Sequence, residues 1–246
     1  MKHPVGYHEA RRIESAALLV RSVAYGEADL IATFFTETDG KLPAIVRGAR
    51  RSSKRFGGSL EPIHELFLTL DDKGKELCVL KEARIARARQ GIVADLDRMD
   101  AAGRALRWVR HLCPARTPEP SAWASLRALL DVLDAGAFGK PPLQHLAVFG
   151  LGLLTYVGYG IDFERCVRCG KPCPDGRPAF IDAGGLVCMS CGGARRTIAA
   201  DLRAVALRAQ AREPDLAMTA AQASDLVAIA EGAMSAHADF DPHSSK

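Results

Sequence analysis

The first third of the chain carries short runs of hydrophobic and polar residues separated by turn residues. Five runs read as strands, at about 16–20, 30–36, 42–46, 66–70 and 77–80. The Asp39-Gly40 pair between the second and third runs is typical of a hairpin turn. Five short strands joined mostly by short turns are typical of a small barrel. The pattern therefore predicts an OB-fold β-barrel over residues 14–84, preceded by an N-terminal extension at 1–13.

Beyond Arg84 the apolar residues recur at three- and four-residue steps, which is the period of an α-helix. Met99, Ala102, Leu106 and Val109 form one stripe of this kind. Later helices are predicted at about 121–136, 141–158, 197–212 and 220–237, and residues 239–246 read as a flexible tail. The expected fold class is therefore a multi-domain α+β protein, with an N-terminal OB-fold β-barrel followed by an α-helical domain over 85–238.

Two Cys-x-x-Cys pairs interrupt the helical part. Cys166 and Cys169 form the first pair, and Cys188 and Cys191 form the second, with 18 residues between the pairs. A tight turn brings the two thiolates of each pair onto one ion, so this spacing indicates a zinc ribbon inserted at about 164–194. Because four thiolates fill the tetrahedral coordination of Zn²⁺, we expect one structural zinc ion and no catalytic water.

Three alternatives to this interpretation stay open: two disulfides, buried thiols without a metal, and a ligand set that includes Cys173. Disulfides would need an oxidising compartment, and the N-terminal residues lack the apolar region of an export signal. Cys173 is a fifth nearby thiol that could replace Cys169 as a ligand.

The composition is that of a globular protein in water, with 48% hydrophobic and 25% charged residues. The longest apolar run, 147–160, is too short to span a bilayer. We therefore expect no membrane partner and a cytoplasmic location.

The net charge of +4 is unevenly distributed, because residues 41–60 hold six basic and no acidic side chains. Five of the basic side chains lie on one Gly- and Ser-rich loop after the third predicted strand: Arg47, Arg50, Arg51, Lys54 and Arg55. Such a loop can pair with phosphates without reading bases, which predicts salt-sensitive, sequence-tolerant binding of a polyanion such as an oligonucleotide. The alternative is a solvated surface loop with no ligand.

Motifs of common enzymes are absent from the sequence. None of its Gly-Lys pairs is followed by Ser or Thr, so it has no P-loop, and it has no G-x-S-x-G elbow or H-E-x-x-H helix. The chain is therefore expected not to be an enzyme.

Several segments resemble the bacterial recombination mediator family RecO. They are Tyr25-Gly26-Glu27-Ala28-Asp29, the stretch from Gly48-Ala49-Arg50-Arg51 to Leu60-Glu61-Pro62, Leu80-Lys81-Glu82-Ala83, Tyr156-Val157-Gly158-Tyr159 leading to the first cysteine pair, and Gly184-Gly185-Leu186-Val187 leading to the second. Their order and spacing together are specific to that family.

The resemblance implies a DNA repair and recombination protein that binds single- and double-stranded DNA, anneals complementary strands and helps load recombinase onto coated single-stranded DNA. It implies two protein partners, the RecR protein and the C-terminal tail of single-stranded DNA-binding protein. The alternatives are a zinc-ribbon transcription regulator or RNA-binding protein, which would prefer a sequence or RNA, and a metalloenzyme with an open metal position.

Overall fold

The computed structural model describes residues 11–51, 60–136, 140–174, 176–182, 184–193, 196–214, 216–237 and 240. The chain divides into two compact units. The first consists of Met1–Gln90 with Cys113–Trp123, and the second of Gly91–Leu112 with Ala124–Lys246.

The first unit is a five-stranded barrel. Its strands are β1 (Arg11–Tyr25), β2 (Asp29–Thr36), β3 (Gly40–Val46), β4 (Glu65–Asp72) and β5 (Cys78–Arg87). The strand order is β1-β2-β3-β5-β4, and β4 pairs back onto β1 to close the ring. Only the β3–β5 pairing is parallel, and it rests on two residue pairs. The five predicted strands are confirmed, and each runs further than its hydrophobic run.

The first strand corrects one predicted boundary. Residues 11–13, assigned above to an N-terminal extension, form the start of β1, because Ile13 pairs with Leu70 and is 4% exposed in the barrel core. Residues 1–10 lie outside the described residues.

A β-bulge at Val20 reverses which side chains of β1 face the barrel interior. Ile13, Ala17 and Leu19 belong to the buried core. After the bulge the register shifts, so that Arg21 pairs with Thr33 rather than continuing the inward series. One extra residue inverts the alternation of a strand. The second half of β1 therefore presents its odd-numbered side chains outward.

The segment 113–123 packs on the barrel although it follows the first long helix in sequence. Arg116 donates hydrogen bonds to the Asp72 carboxylate (2.6 Å) and to the Lys75 carbonyl (2.7 Å). The Trp123 ring meets the Phe35 ring edge to face at 5.8 Å. This segment therefore covers one end of the outer barrel surface.

The second unit is mainly helical. Its helices are α1 (Gln90–Val93), α2 (Leu96–Leu112), α3 (Pro120–Ala135), α4 (Pro142–Tyr156), α5 (Ala200–Gln210) and α6 (Ala220–His237); the ends of α1 and α3 reach into the first unit. Trp108 of α2 stacks on Phe149 of α4 at 6.3 Å. A Cβ at Gly150 would lie 2.8 Å from that indole, so this glycine permits the close packing of α4 on α2. These helices confirm the predicted α+β class.

A small four-stranded sheet lies between α4 and α5 in sequence. It consists of β6 (Asp162–Cys166), β7 (Ala179–Asp182), β8 (Gly185–Val187) and β9 (Arg196–Ile198), in the order β6-β8-β7-β9. This is the position predicted for the ribbon insertion.

Phe240 is the one described position of the segment 239–246, which was predicted to be a flexible tail. Phe240 is 3% exposed, and its ring meets the His111 ring edge to face at 5.4 Å. The other residues of the segment 239–246 lie outside the described residues. In the part of the chain that is described, no helix is both long and apolar enough to span a membrane.

Candidate functional sites

The four cysteines of the two Cys-x-x-Cys pairs converge at one point. The Sγ atoms of Cys166, Cys169, Cys188 and Cys191 all lie within 4.8 Å of one another, and those of Cys169 and Cys188 are 3.9 Å apart. Tetrahedral Zn²⁺ with Zn–S bonds of about 2.3 Å needs sulfurs about 3.8 Å apart. The four side chains therefore fit a single tetrahedral metal ion.

Two similar turns hold the thiols in place. Gly170 donates its N–H to the Cys166 carbonyl (2.8 Å), and Gly192 donates to the Cys188 carbonyl (3.1 Å). Both glycines have positive φ, +71° and +55°, where L side chains are strained. The glycine after each Cys-x-x-Cys pair is therefore required by the turn that brings its two sulfurs together.

The electrostatics of the cluster suit a cation. The backbone N–H of Cys188 donates to the Cys166 sulfur (3.3 Å), and this bond is the main cause that lowers the pKa of Cys166 to about 6. Thiol hydrogen bonds with Cys188 and then Cys169 raise the pKa of Cys191 to about 12. Four thiolates this close repel one another unless a cation lies among them. The cluster is therefore a candidate metal centre.

The fifth cysteine has a different role. Cys173 is not in the converging group, and its carbonyl accepts a hydrogen bond from Arg203 of α5 (2.8 Å). Arg203 is 3% exposed and also donates to the carbonyls of Phe163 (2.7 Å) and Pro174 (2.8 Å). One buried guanidinium thus ties β6 and the loop after the first cysteine pair to α5. The sequence reasoning missed this residue, because its partners are backbone groups 29 to 40 positions away.

The remaining cysteines are core residues of the first unit. Cys78 and Cys113 are 0% and 2% exposed, and burial raises the pKa of Cys113 to about 12. A thiol in such a place stays protonated and packs as a small apolar group.

The loop that follows β3 carries Arg47, Arg50 and Arg51, and we call it the arginine loop. Hydrogen bonds tie it to the turn between β1 and β2. Gly48 donates its N–H to the Asp29 carboxylate (2.8 Å), and Arg50 donates its N–H to the Ala28 carbonyl (2.9 Å). The Arg50 guanidinium reaches the Gly26 carbonyl at 3.2 Å. The loop following β3 and the β1–β2 turn therefore form one surface, with the arginines positioned by backbone contacts.

The structure describes three of the five predicted DNA-binding residues. Arg47, Arg50 and Arg51 are exposed at the end of β3. Arg51 makes an ion pair with Glu27 at 3.0 Å, and both side chains are mostly exposed, so the pair is readily broken. Lys54 and Arg55 lie outside the described residues. The structure brings the first three together, and their role in DNA binding stays a prediction.

The segment Gly26-Glu27-Ala28-Asp29 holds none of the site residues predicted from the sequence. The structure shows that its Asp29 side chain and Ala28 carbonyl hold the arginine loop in position. The available signal was an acidic residue at the start of a strand, which does not by itself identify its partner.

An open groove of about 600 Å³ lies on another side of the barrel, across β1, β4 and β5. Its lining holds Arg84, whose guanidinium lies over the Phe67 ring at 4.7 Å from the centroid. The charges of the lining nearly balance, since three basic side chains meet two acidic ones: Arg12, Lys81 and Arg84 against Glu14 and Glu82. The lining therefore carries a net charge of only +1, as three positive charges less two negative ones.

Comparison with known proteins covers nearly the whole chain. Residues 11–89 match the family model described as Recombination protein O N terminal, and residues 93–245 match the model described as Recombination protein O C terminal. The chain is 37% identical over 205 residues to the DNA repair protein RecO of Anaeromyxobacter sp. (strain K), covering 81% of this chain and 79% of that protein. It is 35% identical over 190 residues to the RecO of Myxococcus xanthus, covering 76% of each chain. It is 32% identical over 185 residues to the RecO of Geobacter metallireducens, covering 75% of this chain and 73% of that protein.

Proposed function

This chain belongs to the RecO family of DNA repair proteins, and on that premise we propose that it is a recombination mediator. In this proposal it binds single- and double-stranded DNA, anneals complementary strands and helps load recombinase onto coated single-stranded DNA. The single observation that carries the DNA-binding part is the interlocked arginine loop and β1–β2 turn on the barrel.

The barrel supports this assignment through its topology. A five-stranded barrel with the order β1-β2-β3-β5-β4 is the arrangement that we assign to the OB-fold. Such barrels frequently bind oligonucleotides on the β2–β3 face and on neighbouring loops. The arginine loop leaves the end of β3 and contacts the β1–β2 turn, so it borders that face.

The proposed mechanism of annealing is electrostatic. Arg47, Arg50 and Arg51, joined by Lys54 and Arg55 of the same loop, would pair with phosphates of two strands and lower the repulsion between them. Neutralising about five phosphates on a single strand gives a slope of log K against log salt of roughly −3 to −4. No catalytic residue is needed for this step, so we propose that the protein is not an enzyme.

We propose that the cysteine cluster holds one structural Zn²⁺ through Cys166, Cys169, Cys188 and Cys191. When bound, the ion supplies the cross-link that joins two loops too short to form a core of their own. Since the four thiolates complete its coordination, the metal has no position for substrate.

The protein partners and the location follow from the family alone. We propose the RecR protein and the C-terminal tail of single-stranded DNA-binding protein as partners, and the nucleoid region of the cytoplasm as the location.

The test is a binding competition followed by an annealing assay. Labelled DNA is displaced by unlabelled DNA and RNA of several sequences, and complementary strands coated with single-stranded DNA-binding protein are then annealed with and without that protein's C-terminal tail. We expect DNA binding without sequence preference, and faster annealing that depends on the tail. A clear preference for RNA or for one DNA sequence would contradict the proposal and favour an RNA-binding or transcription-regulating role.

A further inference from the structure

A row of aliphatic side chains crosses the outer face of the barrel. In the strand registers Val23 lies opposite Ile31, Ile31 opposite Ile45, and Ile45 opposite Val79. Neighbouring strands are about 4.8 Å apart, so this row across β1, β2, β3 and β5 is about 14 Å long. We call these four residues the aliphatic row.

The row faces away from the barrel core. Val23 is 44% exposed, and Ile45 and Val79 are partly exposed between buried neighbours. Ile31 is partly exposed between the partly buried Leu30 and the buried Ala32. The bulge at Val20 produces this arrangement, because without it Val23 would follow Leu19 into the interior. Tyr25, two residues further along the outward series, is 53% exposed. An aromatic ring therefore stands at the end of the aliphatic row.

The border of this face is basic. Arg21 precedes Val23 in the outward series of β1, and Arg47 is an exposed residue directly after the end of β3. At the turn after Tyr25, Gly26 accepts the Arg50 guanidinium, so the aromatic ring adjoins the arginine loop.

The two nearby acidic side chains of the β1–β2 turn already have partners. Asp29 accepts the Gly48 N–H, and Glu27 pairs with Arg51. The charge complementarity of the face therefore favours an anionic occupant with flat apolar parts.

We propose that the aliphatic row and Tyr25 form a base-contacting platform that makes the barrel prefer single-stranded over double-stranded nucleic acid. Unpaired bases would lie on the row and stack on Tyr25, while the phosphates run along Arg21, Arg47 and Arg50. Stacking on an aromatic side chain tolerates any base, because every base has a flat π face. In a duplex the base faces are hidden, so this contact is lost and only the phosphate contacts remain. The proposal rests on the proposed DNA binding and adds its selectivity.

The experiment measures the affinity of the full-length protein for three fluorescent oligonucleotides of equal length. One is oligo-dT, one is the same phosphodiester backbone without bases, and one is a duplex. The variants are Tyr25→Ala and Tyr25→Phe, with Tyr159→Ala as a control, because Tyr159 is 39% exposed in the second unit. Thermal unfolding of each variant confirms folding, and Val23→Thr provides a second, nearly isosteric change on the same face.

We expect Tyr25→Ala to weaken oligo-dT binding at least about fivefold, with duplex and abasic binding changed less than about twofold. Tyr25→Phe keeps the ring and retains affinity, Val23→Thr weakens oligo-dT binding by a smaller factor, and Tyr159→Ala has no effect. The salt dependence stays unchanged in Tyr25→Ala, because no phosphate contact is removed.

Two results would overturn the platform while leaving the proposed DNA binding intact. One is unchanged oligo-dT affinity in Tyr25→Ala, and the other is an equal loss for oligo-dT and abasic strand. Loss of affinity for an acidic, apolar peptide without loss for oligo-dT would assign the face to a protein partner instead. If the wild-type protein bound none of the three oligonucleotides, the proposed function itself would fail.

Discussion

The cysteine cluster and the arginine loop both follow a strand and both turn on glycines with positive φ. In the cluster, four side chains point to one centre and lie within 4.8 Å of one another. In the arginine loop the backbone is held by Asp29 and Ala28, and the cationic side chains are exposed.

Under the proposed function, this difference separates a scaffold from a binding surface. Four converging thiolates complete the coordination of one ion and leave no free group to contact a macromolecule. Dispersed cations held by their backbone are suited to a long polyanion. The motif that is easiest to recognise in the sequence is therefore not the one to which we assign the binding function.

Loss of a metal ligand is the change with the largest expected effect. Cys166→Ser should abolish stable metal binding, because structural zinc contributes on the order of 10–16 kcal/mol to the folding of small zinc domains. Metal content measured by mass spectrometry should fall from one ion per chain to none, and the ribbon should become sensitive to protease.

The matched control is Cys173→Ser, which changes a nearby cysteine outside the converging group. It should retain one metal ion per chain. Full metal content in a variant that lacks all four cluster cysteines would show that the cluster is not the metal site.

The next largest effect is expected from removing the buried guanidinium that ties the ribbon to α5. Arg203→Ala leaves three carbonyls without their donor, and we expect a loss of about 3 kcal/mol in unfolding free energy. Urea unfolding measures this loss. Arg208→Ala removes an arginine that is 47% exposed on the same helix, and should cost less than about 1 kcal/mol. Equal losses in the two variants would contradict the role of Arg203.

The cysteine cluster and the strands could be predicted from the sequence, but several contacts between distant residues could not. The cysteine spacing and the strand runs depend on near neighbours, so the sequence was sufficient for them. The bulge at Val20, the three carbonyls bound by Arg203 and the packing of 113–123 on the barrel depend on residues distant in sequence. Ile13 was likewise placed outside the barrel, because a single apolar residue among polar ones gives no period to read.

Neutralising the arginine loop should reduce affinity for DNA by an intermediate amount. The double change Arg47→Gln and Arg50→Gln removes two phosphate contacts, so the salt slope on single strands should become shallower by about 1.4. Fluorescence anisotropy at several salt concentrations measures the slope. The control changes Arg196 and Arg208 of the second unit to Gln, which alters the net charge equally. A slope that is the same in both double variants would remove the loop from the DNA site.

The smallest effect concerns the segment 113–123 on the barrel. Burial alone would raise the pKa of Asp72, but hydrogen bonds from Arg116 and the Gly74 N–H hold the pKa below its ordinary value. A lowered carboxyl pKa stabilises the folded state above about pH 4, and this stability is lost as the pH falls further. Thermal unfolding between pH 7 and pH 3 should therefore show a steeper decrease for wild type than for Asp72→Asn.

At neutral pH Asp72→Asn should cost less than about 1 kcal/mol, because solvent partly screens the pair. Asp225→Asn, at an exposed ion pair with Arg196, is the control for the loss of one surface carboxylate. Identical profiles for wild type and Asp72→Asn would contradict the stabilising role of the pair with Arg116.

The division between scaffold and binding surface is tested most directly by the rate of annealing of complementary oligonucleotides, measured without nucleotide cofactor. Wild type, the Arg47→Gln and Arg50→Gln double variant, and its charge-matched control are compared at low and high salt. We expect the wild type and the control to accelerate annealing at low salt, and the loop variant to lose most of that acceleration. Equal acceleration by the loop variant, or none by the wild type, would contradict the assignment of annealing to the arginine loop.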